Sequence, residues 1–268
     1  MTPPVFEVRD VVYRYERVVA LDSISFAVDQ GKRVALLGAN GSGKSTLLRL
    51  LDGLYFPESG SVHYRSEPLT EQRLEDERFS FGFRRSVGMV FQNPDVQLFN
   101  PTVFDEVAFG PLQLRWSKDT VRERVAAVLE SLGILHLRDR APHRLSGGEQ
   151  KRVAIASVLV LDPEVLLLDE PTAALDPQSQ SQMIDLLAGW KGAGRTVVTA
   201  THDLDSVEEI ADDCFVFQAG RLVAQGAPAA VLADAELLKR TGLLHVHRHA
   251  HVQGEVHSHP HRHHDTRQ

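Results

Sequence analysis

The stretch Gly38-Ala39-Asn40-Gly41-Ser42-Gly43-Lys44-Ser45-Thr46 fits G-x-x-x-x-G-K-[ST], a glycine loop whose backbone N–H groups cradle phosphate. It follows the apolar run Val34-Ala35-Leu36-Leu37 and precedes Leu47-Leu48-Arg49-Leu50-Leu51. That order reads as strand, tight loop and helix, and the helix N-terminus adds its own donors toward an anion. Lys44 is placed to reach the β- and γ-phosphates and Ser45 to ligate Mg²⁺. The loop specifies a nucleoside triphosphate without specifying the machine that uses it.

Three further sets of residues carry chemistry. Val165-Leu166-Leu167-Leu168 ends in Asp169-Glu170, a buried parallel strand with acids at its carboxyl end. Asp169 is read as holding Mg²⁺, directly or through water, and Glu170, facing differently, as polarising an attacking water. In Leu145-Ser146-Gly147-Gly148-Glu149-Gln150, Ser146 and Glu149 have capping-box spacing, so a helix opens here with N–H groups presented to an anion. Nine of the thirteen histidines crowd the C-terminus: His245, His247, His249, His251, His257, His259, His261, His263 and His264. Neutral imidazole ligates Ni²⁺, Co²⁺, Cu²⁺ and Zn²⁺. Alternate residues of an extended chain fall on one side, so neighbours can share a metal.

The elements that must position these residues alternate in type. Phe6 to Val12 and Ile24 to Val28 alternate apolar and polar residues and read as strands of a small antiparallel sheet. Val87 to Phe91, Val165 to Leu168 and Thr196 to Ala200 read as buried strands, and Phe215 to Phe217 with Arg221 to Ala224 as a hairpin. Residues 57–85 read as polar and turn-rich. Residues 93–150 form a helical insertion, with Ser117 as an N-cap and Gly133 as a stop. Helices are also expected at 147–161, 179–190 and 204–211. Strand–helix alternation with functional groups at strand ends predicts an α/β domain whose site lies at the carboxyl edge.

Composition narrows the reading. A chain of 268 residues with 43% apolar and 24% charged content suits a globular protein with a sizeable core. A net charge of −7 argues against a general nucleic-acid binder, whose footprint is basic. Cys214 is the single cysteine and sits in an apolar run, which reads as a buried structural thiol in a reducing compartment. The N-terminus lacks a signal-peptide profile, and the best apolar stretch, Val153 to Leu168, is broken by Asp162-Pro163-Glu164. A membrane role must be borrowed from a partner.

With these residues in view, the chain resembles the ATP-binding-cassette (ABC) ATPases over about residues 5–230. Ser146, Gly147 and Gly148 stand in an LSGGQ-like signature, with Glu149 where Gln is usual. The resemblance implies further roles. Gln92 matches the Q-loop glutamine that senses Mg²⁺ and water, and Ala174-Leu175-Asp176 the D-loop that communicates across a dimer. His202 matches the switch histidine on the γ-phosphate, and Tyr15 the adenine-stacking aromatic, with Tyr13 as its rival. Glu170, His202 and Gln92 are thus the catalytic set. Asn40, Gly41, Ser42, Gly43, Lys44, Ser45, Thr46, Gly38, Tyr15, Asp176 and the signature residues bind ATP. Ser45, Gln92 and Asp169 serve Mg²⁺.

The implied fold is a P-loop (RecA-like) core with a mixed, mainly parallel sheet, an N-terminal antiparallel β subdomain and an inserted helical subdomain. Residues 1–240 form the ATPase domain, and residues 241–268 a His-rich tail without ordered structure. Phe91-Gln92-Asn93-Pro94-Asp95-Val96-Gln97-Leu98-Phe99 and Thr102 to Gly110 resemble energy-coupling-factor ATPases of cobalt/nickel and vitamin importers. The partners implied are a second ATPase copy in a head-to-tail homodimer, a transmembrane coupling protein docked near Gln92, and a substrate-binding membrane subunit, with no nucleic acid. The implied location is the cytoplasmic face of the cell membrane. The tail favours nickel or cobalt as cargo, and a vitamin importer with an incidental tail is the alternative. A nickel-delivering GTPase lacks its Asn-Lys-x-Asp motif here. A chromosome-maintenance ATPase would need sustained heptads between phosphate loop and signature, and none are present.

Overall fold

A computed structural model describes residues 3–250 and 256–262. In chain order the strands and helices are β1 (Phe6–Tyr15), β2 (Val18–Val28), β3 (Arg33–Leu37), α1 (Lys44–Leu51), β4 (Ser59–Tyr64) and β5 (Glu67–Pro68). Then come α2 (Glu71–Glu75), α3 (Glu77–Ser86), β6 (Val87–Val90), α4 (Val103–Gln113), α5 (Lys118–Ser131), α6 (Gly147–Leu159), β7 (Val165–Asp169) and α7 (Pro177–Ala188). The chain continues through β8 (Thr196–Thr201), α8 (Val207–Ile210), β9 (Asp213–Gln218), β10 (Arg221–Gly226), α9 (Pro228–Ala233) and α10 (Ala235–Arg240). It closes with β11 (Leu244–Ala250) and β12 (Val256–Arg262).

Two units divide these elements. The first holds residues 1–69 and 198–268. Its antiparallel sheet runs β2-β1-β4-β5 and packs Phe6, Val8, Leu21 and Ile24 inward. The expected alternation holds in β2 from Ile24 to Val28 and in β1 from Phe6 to Val8, breaks at a register shift between Val8 and Val11, and β1 runs on to Tyr15. β3 pairs parallel with β9, and β9 antiparallel with β10. All five residues of β3 are buried, as a central strand requires.

The second unit holds residues 70–197. β6 and β7 pair parallel, Val87 opposite Val165 through Val90 opposite Leu168. α4, α5 and α6 build the helical insertion around Val107, Val125, Leu129, Val153 and Ile155. Ser117 caps α5 as expected by accepting from the Thr120 N–H.

Three differences from the sequence reading have physical causes. Residues 71–86, read as turn-rich, carry α2 and α3, because Thr70 and Asp76 each cap a helix N-terminus while Phe83 alone is buried. The helix expected at 204–211 shrinks to α8. After residue 240 the fold continues through buried Thr241 and Leu243. In the tail, expected to lack ordered structure, β11 and β12 pair antiparallel. The tail's alternation of histidine with other residues has the strand period of two.

The phosphate-loop strand starts at a buried ion pair. Arg33, only 2% exposed, places Nη2 at 2.8 Å from Asp212 Oδ1 and Nη1 at 2.8 Å from the Glu209 carbonyl. The Asp212 N–H returns to the Arg33 carbonyl at 2.7 Å, fixing β3 against the start of β9. Burial works to raise the Asp212 pKa, but hydrogen bonds and charge from Arg33 outweigh it and hold the carboxyl below its usual range. A depressed folded value gives stability that is present above the unfolded pKa, about 3.9. That stability is lost as pH falls through the folded value.

Asp212→Ala should therefore cost about 2–3 kcal/mol at neutral pH, below the about 3–5 of a fully enclosed pair, since 30% of the Asp212 side chain reaches water. In urea unfolding, the gap to the parent should close as pH drops below about 4. A gap that stays constant into acid would refute the pairing account.

Candidate functional site

The phosphate loop joins β3 to α1 and is braced by its neighbours in the first unit. The Gly220 N–H donates to the Ser42 carbonyl at 3.1 Å, and the Asp22 N–H donates to the Gly220 carbonyl at 2.9 Å. Gly43 has φ +106, and a Cβ there would lie 2.6 Å from the Ala20 carbonyl oxygen. A Cβ on Gly38 would lie 2.6 Å from the Phe217 carbonyl oxygen. β2 and the β9–β10 hairpin thus press on a backbone that only glycine fits.

Lys44 is 6% exposed, and its Nζ donates to the Gly38 carbonyl at 2.6 Å and the Ala39 carbonyl at 3.3 Å. Ser42 Oγ is buried with no hydrogen-bond partner among the described residues, while Asn40 and Gly41 face solvent. A buried cation, an orphaned hydroxyl and an open glycine turn fit a phosphate group.

Tyr15 stands at the end of β1, and its hydroxyl lies 3.2 Å from Thr46 Oγ1 and 3.3 Å from Arg49 Nη1. Tyr13 stacks flat on Tyr55, with centroids 5.3 Å apart and planes 7° apart. That contact covers a face of Tyr13, whereas Tyr15 is 38% exposed. His202 follows β8 directly and is half-buried.

In the second unit, β7 delivers Asp169 and Glu170, 2% and 4% exposed. Glu170 has φ 47, a left-handed backbone rare for a side-chain-bearing residue. It lies one residue past the end of β7, whose last residue is Asp169. Ser45 and Asp169 are hard oxygen donors of the kind Mg²⁺ takes. Gln92 follows β6 and is exposed.

Lys151 on α6 is 1% exposed, and its Nζ donates to the Gln92 carbonyl at 2.5 Å and the Glu170 carbonyl at 3.4 Å. Burial pushes its ammonium down to about 8, against the opposing charges of Asp169 and Glu170. Gln97 accepts from the Phe91 N–H at 3.2 Å and donates to the Ala154 carbonyl at 2.9 Å. Glu106, 3% exposed, accepts from the N–H groups of Phe99 and Asn100 at 2.8 and 2.7 Å.

The capping box at α6 is formed. Glu149 Oε2 accepts from the Ser146 N–H at 2.8 Å, and Ser146 Oγ accepts from the Glu149 N–H at 3.4 Å. The Ser146 N–H foremost, and then the Ser146 hydroxyl donating to Glu149 Oε2 at 3.0 Å, hold the Glu149 carboxyl below its usual range against the effect of burial. Ser146 and Gly147 are exposed, while Gly148 is buried against Ser179. Asp176 caps α7 and accepts from the Ser179 N–H at 3.0 Å.

Residues 21–173 match the family model described as ABC transporter. This chain belongs to the ABC transporter family. It is an ATP-binding cassette ATPase. A nickel import ATP-binding protein, NikO, of Rhodobacter capsulatus is 56% identical over 244 residues, covering 90% of this chain and 96% of the relative. The energy-coupling factor transporter ATP-binding protein EcfA of Methanothermobacter thermautotrophicus is 44% identical, covering 88% and 75%. Among solved structures, CbiO1 of Clostridium perfringens, part of the complex cbiONQ, superposes with TM-score 0.76 at 40% identity, covering 90% and 95%. A dimeric cassette in a post-hydrolysis state with ADP and Pi gives TM-score 0.73 at 27% identity, covering 83% and 98%.

Within the first unit, the cassette groups the loop from Gly38 to Thr46 with Tyr15. Within the second, it groups Gln92, Asp169 and Glu170 about Lys151. Lys151, Gln97 and Glu106 had no role in the sequence reading. Glu106, set among Val103, Phe104, Val107 and Ala108, was the one available signal, because Lys151 sits in the polar run Glu149-Gln150-Lys151-Arg152. In the tail, the register sets His245 opposite His261, His247 opposite His259 and His249 opposite His257. His251, His263 and His264 lie outside the described residues. Among the described residues, no helix is long and apolar enough to cross a membrane.

Gly43→Ala tests the cradle. A Cβ in left-handed backbone costs about 1–2 kcal/mol before any clash, so ATP affinity should fall about tenfold or more. Calorimetric titration reads it, and parental affinity would show that the loop tolerates a side chain.

Proposed function

We propose that this cassette is the ATP-hydrolysing subunit of an energy-coupling-factor importer that powers uptake of nickel or cobalt. The observation that carries the reading is the 56% identity to a nickel import ATP-binding protein across 90% of this chain. The likeness to CbiO1 and the Phe91 to Phe99 segment support it. The 44% identity to EcfA supports the energy-coupling-factor class.

Lys44 and the loop amides hold the ATP phosphates, and Tyr15 offers its exposed face to adenine. Ser45, Asp169 and Gln92 hold Mg²⁺, which supplies charge neutralisation on the phosphate oxygens. Glu170 orients the attacking water and His202 contacts the γ-phosphate. Ser146 and Gly147 leave the α6 N-terminus exposed, a donor set suited to the phosphates held by a second copy. Asp176 serves the same dimer face. The working unit is a head-to-tail homodimer.

The membrane partner docks on the second unit. Val96 and Phe99 are 70% and 67% exposed, and Phe109 and Leu112 line a groove of about 550 Å³. Such an exposed apolar group marks an interaction surface. It sits on the segment that follows Gln92. The cassette then works at the cytoplasmic face of the membrane as a peripheral subunit. The tail's histidine-rich sequence, with His245 paired in register with His261, His247 with His259 and His249 with His257, supports a role in holding Ni²⁺ or Co²⁺.

Glu170→Gln should bind ATP as the parent does and lose hydrolysis by on the order of a hundredfold or more. Steady-state phosphate release measures it, and a parental rate would reject the base assignment. The transport reading is tested by radiolabelled nickel and cobalt uptake in cells co-expressing the cassette and its membrane partners. Uptake should require the intact cassette, and uptake of a vitamin instead would overturn the cargo. Deleting residues 245–264 should lower uptake at limiting metal, and unchanged uptake would remove the tail from the account.

A further inference from the structure

The buried ammonium of Lys151 is spent on main-chain positions. Its three donors face three backbone carbonyls: Gln92 at 2.5 Å, Glu170 at 3.4 Å and Phe91 at 3.5 Å. The first and third belong to the segment that leaves β6, and the second to the end of β7. Lys151 itself sits in the second turn of α6, the helix that Ser146 caps. Gln97 adds a separate tie, joining the Phe91 N–H to the Ala154 carbonyl and to Ser157 Oγ at 3.1 Å. The same segment carries the exposed Val96 and Phe99.

We propose that Lys151 is a positioning residue that makes the Gln92 segment, the Glu170 backbone and helix α6 move as one body. A displacement imposed on the face around Val96 and Phe99 is then transmitted through the Gln92 carbonyl and Lys151 to the Glu170 main chain. The left-handed backbone of Glu170 needs such support, because a strained residue persists only where its surroundings over-determine it. Carbonyl acceptors suit this task. They report where the chain runs. This inference rests on Glu170 orienting the attacking water.

The test uses the full chain with Lys151→Met, which keeps the packing and removes the donors, and Lys151→Arg, which restores them. Lys151→Gln keeps an amide donor and carries the same test if Lys151→Met fails to fold. In the nucleotide-free protein, amide hydrogen exchange should rise in Lys151→Met at residues 91–98 and at 170–174 together, and return toward parental in Lys151→Arg. With ATP, kcat should fall on the order of tenfold to a hundredfold, while KM stays within about twofold, because the phosphate loop is untouched. Parental exchange with parental kcat would overturn the proposal. So would a loss of kcat that Lys151→Arg fails to restore. Glu170→Gln is measured in parallel. If it hydrolyses ATP normally, the assignment of Glu170 fails, while the exchange data still decide whether Lys151 couples the two segments.

Discussion

The phosphate loop depends on one buried cation. Lys44 lies at the base of the glycine loop with its ammonium on the Gly38 carbonyl at 2.6 Å. An ammonium held out of water is costly unless its donors are met. Loop carbonyls meet them within the chain, and phosphate oxygens are the stronger, charge-assisted acceptors. The surrounding fold keeps that exchange available. β3 delivers the loop, Arg33 and Asp212 fix the strand, and the turn at Gly220 holds the Ser42 carbonyl.

A second buried cation organises the other unit on a different principle. Lys151 contacts carbonyls, so it is sensitive to chain position, and it touches both the Gln92 segment and the Glu170 backbone. Glu106 and Gln97 pin the stretch between them. The exposed apolar side chains of Val96 and Phe99 are thereby mounted on hydrogen-bonded backbone. On the proposed reading, a docking surface built this way passes on a push.

Much of this was legible in the sequence, for identifiable reasons. The phosphate loop, the signature and the strand ending in Asp169 each couple a residue pattern to a local geometry, and the capping box of Ser146 and Glu149 formed as its spacing requires. What escaped depends on contacts far apart in the chain. Lys151 reaches residues 59 positions before it and 19 positions after it, and nothing in α6 alone marks it as buried. Helices α2 and α3 escaped because caps at Thr70 and Asp76 define them while Phe83 is their one buried side chain. The pairing of β11 with β12 escaped because histidine-rich composition was weighed above its period of two.

On the proposed reading, the nucleotide site is half-built in each copy and a second copy completes it. Subunit complementation tests it most directly. Copies carrying Lys44→Ala are mixed with copies carrying Ser146→Glu, each inactive alone. A mixed dimer then contains one intact pairing of Lys44 with Ser146 and one doubly damaged pairing. The account predicts that ATP hydrolysis reappears on mixing, rising as mixed dimers form. Hydrolysis that stays at the level of the separate variants would contradict it.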